Sequence, residues 1–380
     1  MNINTTRQCD RRNEQQMIQH LEDFNLDLKF SVGIWYFSDH SSRFHAPLGK
    51  ATTIEERLDI IASLKDYGVL GVEAHYPNEI NEKNLPLYQK FEKDTGIKVI
   101  TVIPNLFYDD TWEFGSLSSP IDSVRQKAIE RVKISLELNK ELDTDFAIIW
   151  PGGDGYENFF GIDFIAARDR FAYGIAQAMD EVPGIPVAIE PKPYEPRGRI
   201  YYGMTGEGIL LAQKVEKALK SDVNREILSS GQSLVGLNPE IGHVLMGTED
   251  VPYAFSLIME YGKLFHTHWN SQPLGNYDQD QNVGVIMPEQ AEAALYILKM
   301  YGYDGYFGLD INPERMPVER AVINNIEAIK SMNDRINELD HAAVLACTYR
   351  PDENRGLLEA LLIRARSNGK TVFSKLPEIK

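Results

Sequence analysis

The sequence predicts an α/β protein built as a (β/α)8 TIM barrel with a C-terminal helical arm. Three observations carry that expectation. Short apolar runs alternate with helical stretches eight times in about 300 residues, the arithmetic of a repeated β-then-α unit. Several runs are rich in Val, Ile and Phe on both faces, as strands buried on both sides should be. The later runs end in metal-ligand side chains, and a parallel barrel gathers its strand ends into one pocket.

The elements follow in order. Met1–Leu28 is a polar lead-in, irregular or helical. Strands are expected at Phe30–Trp35, Leu70–Ala74, Val99–Ile103, Phe146–Trp150, Pro186–Glu190, Leu234–Asn238, Leu264–His268 and Tyr306–Asp310. Between them, helices are expected at Thr53–Asp66, Ser119–Lys140, Asp163–Asp180, Thr205–Ser221, Val251–Tyr261 and Pro288–Tyr301. Thr53 with Glu56 reads as a capping box, and Pro288 suits a first helical turn. A doubly wound open sheet is the competing architecture. It would more often place a G-x-G-x-x-G turn after the first strand, where this chain has YFSDHSS. From Met316 onward no further strand is expected. Val322–Ile336 and Gly356–Ser367 read as helices, joined by a polar link around Arg350–Arg355. The chain therefore divides into a lead-in (1–28), a barrel (29–315) and a helical extension (316–380) that packs on the barrel or grips a partner subunit.

Composition narrows the function classes. The formal charge is −17, from 39 basic and 56 acidic residues, which disfavours nucleic acid and anionic membrane as partners. The two cysteines, Cys9 and Cys347, have no CxxC spacing, so a reducing, cytoplasmic setting fits. The polar start has no apolar signal core, and no run approaches the roughly 18 apolar residues of a membrane span.

The chemistry sits at strand ends. Glu190 opens the run EPKP, with Lys192 two residues on. Glu240 and His243, in NPEIGH, are three apart and share one side of a helical turn. Asp278 and Asp280, in NYDQD, flank Gln279 and can face one ion. His268 and Asp310 end the last two expected strands. Singly, each reads as an ion pair, a core histidine, a cap or a solvated acid. Jointly they differ, because four successive strands present a ligand type at the same end. Two groups emerge: Glu190, Glu240, His268 and Asp310 for one ion; Glu240, His243, Asp278 and Asp280 for a second. Mixed carboxylate and imidazole ligation suits Mg²⁺, Mn²⁺ or Co²⁺, and a two-metal site can polarise a substrate oxygen and activate a water. His75 ends the second strand and can exchange a proton near neutral pH. Trp35, Trp150 and Phe107 offer aromatic walls for a sugar.

These motifs place the chain beside a known family. From about Ser31 to Asp310 it resembles the xylose (glucose) isomerases, through GIWYF, PLGKAT, GVEAH, NLF, IIWPGGDGYE, AIEPKPYEPRG, GLNPEIGH, GKLFHTHWNSQ, NYDQD and GYDGYFGLD. The resemblance implies a metal-dependent aldose–ketose isomerase acting on an open-chain sugar by a hydride shift between C1 and C2. It implies two divalent ions per subunit (Mn, Co or Mg). Glu190, Glu240 and Asp310 match ligands of the first, and Glu240, His243, Asp278 and Asp280 match ligands of the second. It gives His75, Lys192 and Asp280 catalytic roles, with Lys192 on the sugar O1 and His75 at ring opening. Trp35, Phe107, Trp150 and Lys192 match substrate contacts. It also implies a homo-oligomer, tetramer or dimer. Departures fall in the pocket. The family's HIDLNGQ reads His266–Gln272 here, so His268 replaces an aspartate ligand, as in rhamnose isomerases and ketose 3-epimerases. That leaves five carboxylates for two dications where the family has six. After His75 the family's aspartates become Tyr76-Pro77-Asn78-Glu79, so Asn78 or Glu79 must replace the histidine's partner. Ile103-Pro104 and Leu48 also differ from the family's residues. A sugar other than D-xylose is therefore expected, and the alternatives are an epimerase or lyase of the same superfamily or a silent sugar-binding protein.

Overall fold

The computed structural model describes residues 11–42, 45–313, 315–367 and 375–380; Cys9 lies outside the described residues. Eight parallel strands form the barrel: Phe30–Gly33, Val69–Tyr76, Lys98–Pro104, Ala147–Ile149, Val187–Ile189, Val235–Leu237, His268–Trp269 and Phe307–Leu309. They lie in two arcs. The seventh, eighth, first, second and third strands pair in that order, as do the sixth, fifth and fourth. Register is set by pairs such as Phe30 with Phe307 and Val187 with Val235. Side chains and single bridges close the ring. Ile148 N donates to Thr101 Oγ1 at 3.0 Å, joining the third and fourth strands. Isolated parallel bridges, Leu237 with Leu264 and Glu240 with His268, join the sixth strand's segment to the seventh's.

All eight strands shift from the sequence expectation, mostly by one or two residues at an end, and two of the shifts have a visible local reason. The first strand stops at Gly33, and Ile34–Phe37 form a 3-10 turn. The Trp35 ring folds back over Gly33, where a Cβ would lie 2.2 Å from Trp35 Cζ2. The seventh ladder holds His268–Trp269 rather than Leu264–His268. Leu237 O accepts from both Phe265 N and His266 N (3.0 and 3.4 Å), and that sharing keeps the intervening residues out of regular pairing.

Helices cover the outside. Thr53 and Glu56 do form a reciprocal cap, with Glu56 N donating to Thr53 Oγ1 (3.2 Å) and Thr53 N to Glu56 Oε2 (2.8 Å). Pro288 does open its helix. The lead-in contains a helix, Glu14–Asp23, capped by Asn13. Further helices lie at Leu85–Thr95, Asp222–Ser229, Ile241–Met246 and His341–Tyr349. The helix Val318–Asn337 follows the eighth strand and buries Val322, Ile326, Ile329 and Ile336 in the main core. His341–Tyr349 packs on the lead-in helix, where Met17, Leu21 and Leu345 cluster and Arg350 grips Glu14 with both terminal nitrogens (2.9 and 2.8 Å). Inside the barrel a smaller core of Ile100, Ile103, Phe146, Ile148, Ala188 and Phe265 fills one side. No helix among the described residues is long and apolar enough to cross a membrane.

Candidate metal centre

Every site residue expected from the sequence lines one cavity of about 590 Å³ at the C-terminal strand ends. That includes all seven candidate ligands together with Trp35, His75, Phe107, Trp150 and Lys192. Backbone position explains the convergence. Glu190 follows the fifth strand, Glu240 and His243 enclose the first turn after the sixth, His268 stands on the seventh, and Asp310 follows the eighth. Asp278 and Asp280 come from a loop pinned by an antiparallel bridge between Ser271 and Gln281.

Ligand-type atoms of Glu190, Glu240, His268 and Asp310 lie within 4.8 Å of one another, and those of Glu240, His243 and Asp278 form a second such group. Glu240 is common to both. His268 Nδ1 is 3.2 Å from Glu190 Oε2 and 3.3 Å from Asp310 Oδ2. His243 Nε2 is 3.4 Å from Glu240 Oε2 and 3.3 Å from Asp278 Oδ2. Asp280 stands outside both groups. Its backbone is left-handed (φ 46°), and its Oδ1 accepts from Asn270 Nδ2 at 3.0 Å. The same Asn270 Nδ2 donates to Glu240 Oε1 at 2.8 Å, and Asn238 Nδ2 donates to Glu190 Oε2 at 2.8 Å.

The electrostatics call for a cation. Burial, then the charges of Asp278, Asp280, Asp310 and Glu190, push the Glu240 carboxyl well above the usual carboxylate range. Burial and the neighbouring Asp278 and Asp310 do the same to Asp280. Three buried atoms in the cluster have no hydrogen-bond partner: His243 Nδ1, His268 Nδ1 and Asp278 Oδ1. Orphaned donors and acceptors of this kind are costly unless an ion or water takes them. The residues present therefore fit divalent metal. The His268 imidazole itself answers part of the charge. Burial opposes its protonation, but Glu73 and Glu190 more than reverse that and hold the imidazole well above its ordinary value. A bound ion would displace that proton.

Lys192 is buried and donates to Asp278 Oδ2 at 2.8 Å, with its ammonium 5.1 Å from the Trp150 ring centre. Burial opposes its charge, and Asp278 more than restores it, raising the Lys192 pKa. The aromatic wall is continuous. Ring centres run from Trp35 to His75 (4.6 Å), His75 to Phe107 (5.6 Å) and Phe107 to Trp150 (4.5 Å).

Of two further acids at the site, the sequence left one, Glu79, as an alternative to Asn78 and did not single out the other, Glu73. Glu79 is the partner His75 needed: its Oε2 accepts from His75 N at 2.7 Å and lies 3.0 Å from His75 Nδ1. Glu73 is fully buried inside the barrel, where Ser31 Oγ donates to it at 2.7 Å. Its two oxygens meet His266 Nε2 (3.0 Å) and His268 Nε2 (2.9 Å). A signal existed for Glu73. It is the one charge in an apolar strand, two residues before His75, and period-two alternation puts both on one face. Counting Glu73, six carboxylates surround the site: Glu73, Glu190, Glu240, Asp278, Asp280 and Asp310.

The fold and cavity define a parallel barrel with an acidic, imidazole-bearing mouth. The family described as Xylose isomerase-like TIM barrel matches residues 61–332, and the chain belongs to that family. Xylose isomerase of Thermus thermophilus is 29% identical over 297 residues, covering 74% of this chain and 70% of that protein. Xylose isomerase of Thermus caldophilus is 29% identical over 311 residues, covering 77% and 75%. Among solved structures, a D-tagatose 3-epimerase-like protein superposes with a TM-score of 0.58 at 17% identity, covering 82% of this chain and 99% of that one. That likeness is one of fold.

Proposed function

We propose that this chain is a divalent-metal-dependent aldose–ketose isomerase of an open-chain sugar. One observation carries the reading: two groups of ligand atoms share Glu240, beside a buried lysine and an aromatic wall in the same cavity. Glu190, Glu240, His268 and Asp310 would hold one ion, and Glu240, His243 and Asp278, with Asp280 nearby, a second. Bound there, the ions would supply Lewis acidity toward two sugar oxygens. The chain's own residues do the rest. His75, held by Glu79, exchanges the proton that opens the sugar ring. Lys192 donates to O1 and stabilises negative charge that develops on it. Trp35, Phe107 and Trp150 cover the apolar sugar face and exclude water. A hydride then passes from C2 to C1 as O2 loses a proton and O1 gains one, so composition is unchanged. An aldose and ketose panel with Mn²⁺, read by product identity, tests this; the absence of any C1–C2 isomer across pentoses, hexoses and deoxysugars would overturn it.

A second reading is a one-metal sugar epimerase using Glu190 and Glu240 as acid and base. The position of Asp280 outside the second group favours it. One bound ion per chain with a C3-epimer product would select it.

A further inference from the structure

The sequence leaves a puzzle at His268. Replacing a carboxylate ligand with a neutral imidazole removes one negative charge from the first metal position. Six carboxylates are nevertheless present, because Glu73 stands directly behind the imidazole. His268 Nε2 is 2.9 Å from Glu73 Oε2, while His268 Nδ1 is turned toward Glu190 and Asp310. Both ring nitrogens are thereby oriented, one to an acid in the barrel core and one to the mouth.

Glu73 is itself held on every side. Ser31 Oγ and His266 Nε2 engage Oε1, at 2.7 and 3.0 Å. The eighth strand makes room by carrying Gly308. A Cβ there would lie 2.6 Å from His266 Nε2, 2.8 Å from His268 Cδ2 and 2.9 Å from Glu73 Oε1. Glu73, His266 and His268 are close enough to hold an ion themselves. The contacts to both histidines have hydrogen-bond length, so Glu73 is already satisfied without one.

We propose that Glu73 is the positioning residue of the first metal site: it fixes His268 with Nδ1 facing the ion and returns, through the imidazole, the charge that the direct ligand no longer carries. Carboxylates behind ligating histidines tune affinity by tenfold or more, and here the carboxylate is sealed in the barrel core. The inference rests on the metal reading above.

The test is Mn²⁺ titration of metal-stripped protein by calorimetry and electron paramagnetic resonance, comparing wild type with Glu73→Gln. Glutamine keeps the shape and removes the charge. Expected are two Mn²⁺ sites in wild type, and in Glu73→Gln one site weakened about tenfold or more with the other unchanged. Unchanged constants at both sites, even with a lower melting temperature, would reduce Glu73 to a structural role and overturn the inference. No Mn²⁺ binding in wild type would instead sink the metal reading. If Glu73→Gln does not fold, the Mn²⁺-loaded wild-type crystal structure decides. His268 must ligate through Nδ1 while Nε2 stays on Glu73, and ligation through Nε2 overturns the inference.

Discussion

The Glu79 carboxylate lies 3.0 Å from the His75 imidazole, four residues away along the chain, and also takes the His75 backbone N–H. Burial disfavours a charged His75, but Glu79, then Asp310 and Glu190, more than offset this and raise its pKa. A histidine with a raised folded pKa adds stability that is complete below its unfolded value and is lost as pH rises through the folded one. Glu79→Gln should therefore move the His75 titration to lower pH, by NMR. It should also cost more unfolding free energy at about pH 5.5 than at about pH 9. Equal losses at both pH values would break the argument.

Lys192→Met should lower kcat by about a hundredfold while Mn²⁺ affinity holds or improves. The loss is chemical, since the ammonium no longer reaches a sugar oxygen. Asp278, freed of its 2.8 Å partner, remains available to an ion. A collapse of Mn²⁺ binding in this variant would mean that Lys192 organises the site rather than acting on substrate.

Metal identity should matter. Imidazole at His268 and His243 favours transition ions, so Mn²⁺ or Co²⁺ should activate stripped protein better than Mg²⁺. Mn²⁺ at a thousandfold over its Kd should raise unfolding free energy by about 4 kcal/mol. Activity assays ion by ion, with calorimetric melting alongside, check both; a clear Mg²⁺ preference would refute the first.

Asp154 is fully buried and accepts from the backbone N–H and hydroxyl of both Ser116 and Ser118. Asp154→Ala orphans four donors and should cost about 3 kcal/mol or more in urea unfolding. Asp154 lies four residues past Trp150, so the aromatic wall should loosen and KM should rise alongside. A neutral effect would mean that water replaces the carboxylate.

Much of this was readable in the sequence because the barrel writes itself in apolar runs, and strand-end ligands stand out against them. Glu190, Glu240, His268 and Asp310 stood out by residue type at strand ends, and the structure gathers them in one cavity. Glu73 was not, because attention to strand ends passes over a charge inside a strand. Glu79 was reachable only as one of two choices, since the turn after His75 decides whether Asn78 or Glu79 points back. The seventh ladder was misplaced because Leu237 O is shared by two donors, a backbone event with no side-chain signature.

Asn325 sits in the helix Val318–Asn337, which follows the last candidate ligand, Asp310. Its Oδ1 accepts from Val283 N at 2.6 Å, and its Nδ2 donates to Asn282 Oδ1 at 2.7 Å. Those are the residues just beyond the loop that presents Asp278 and Asp280. A shortened chain ending near Met316 would thus retain the residues of all eight strands and every candidate ligand, yet lose both the core packing of this helix and its clamp on that loop. For anyone trimming this protein to a minimal catalyst, the cut has to fall after this helix.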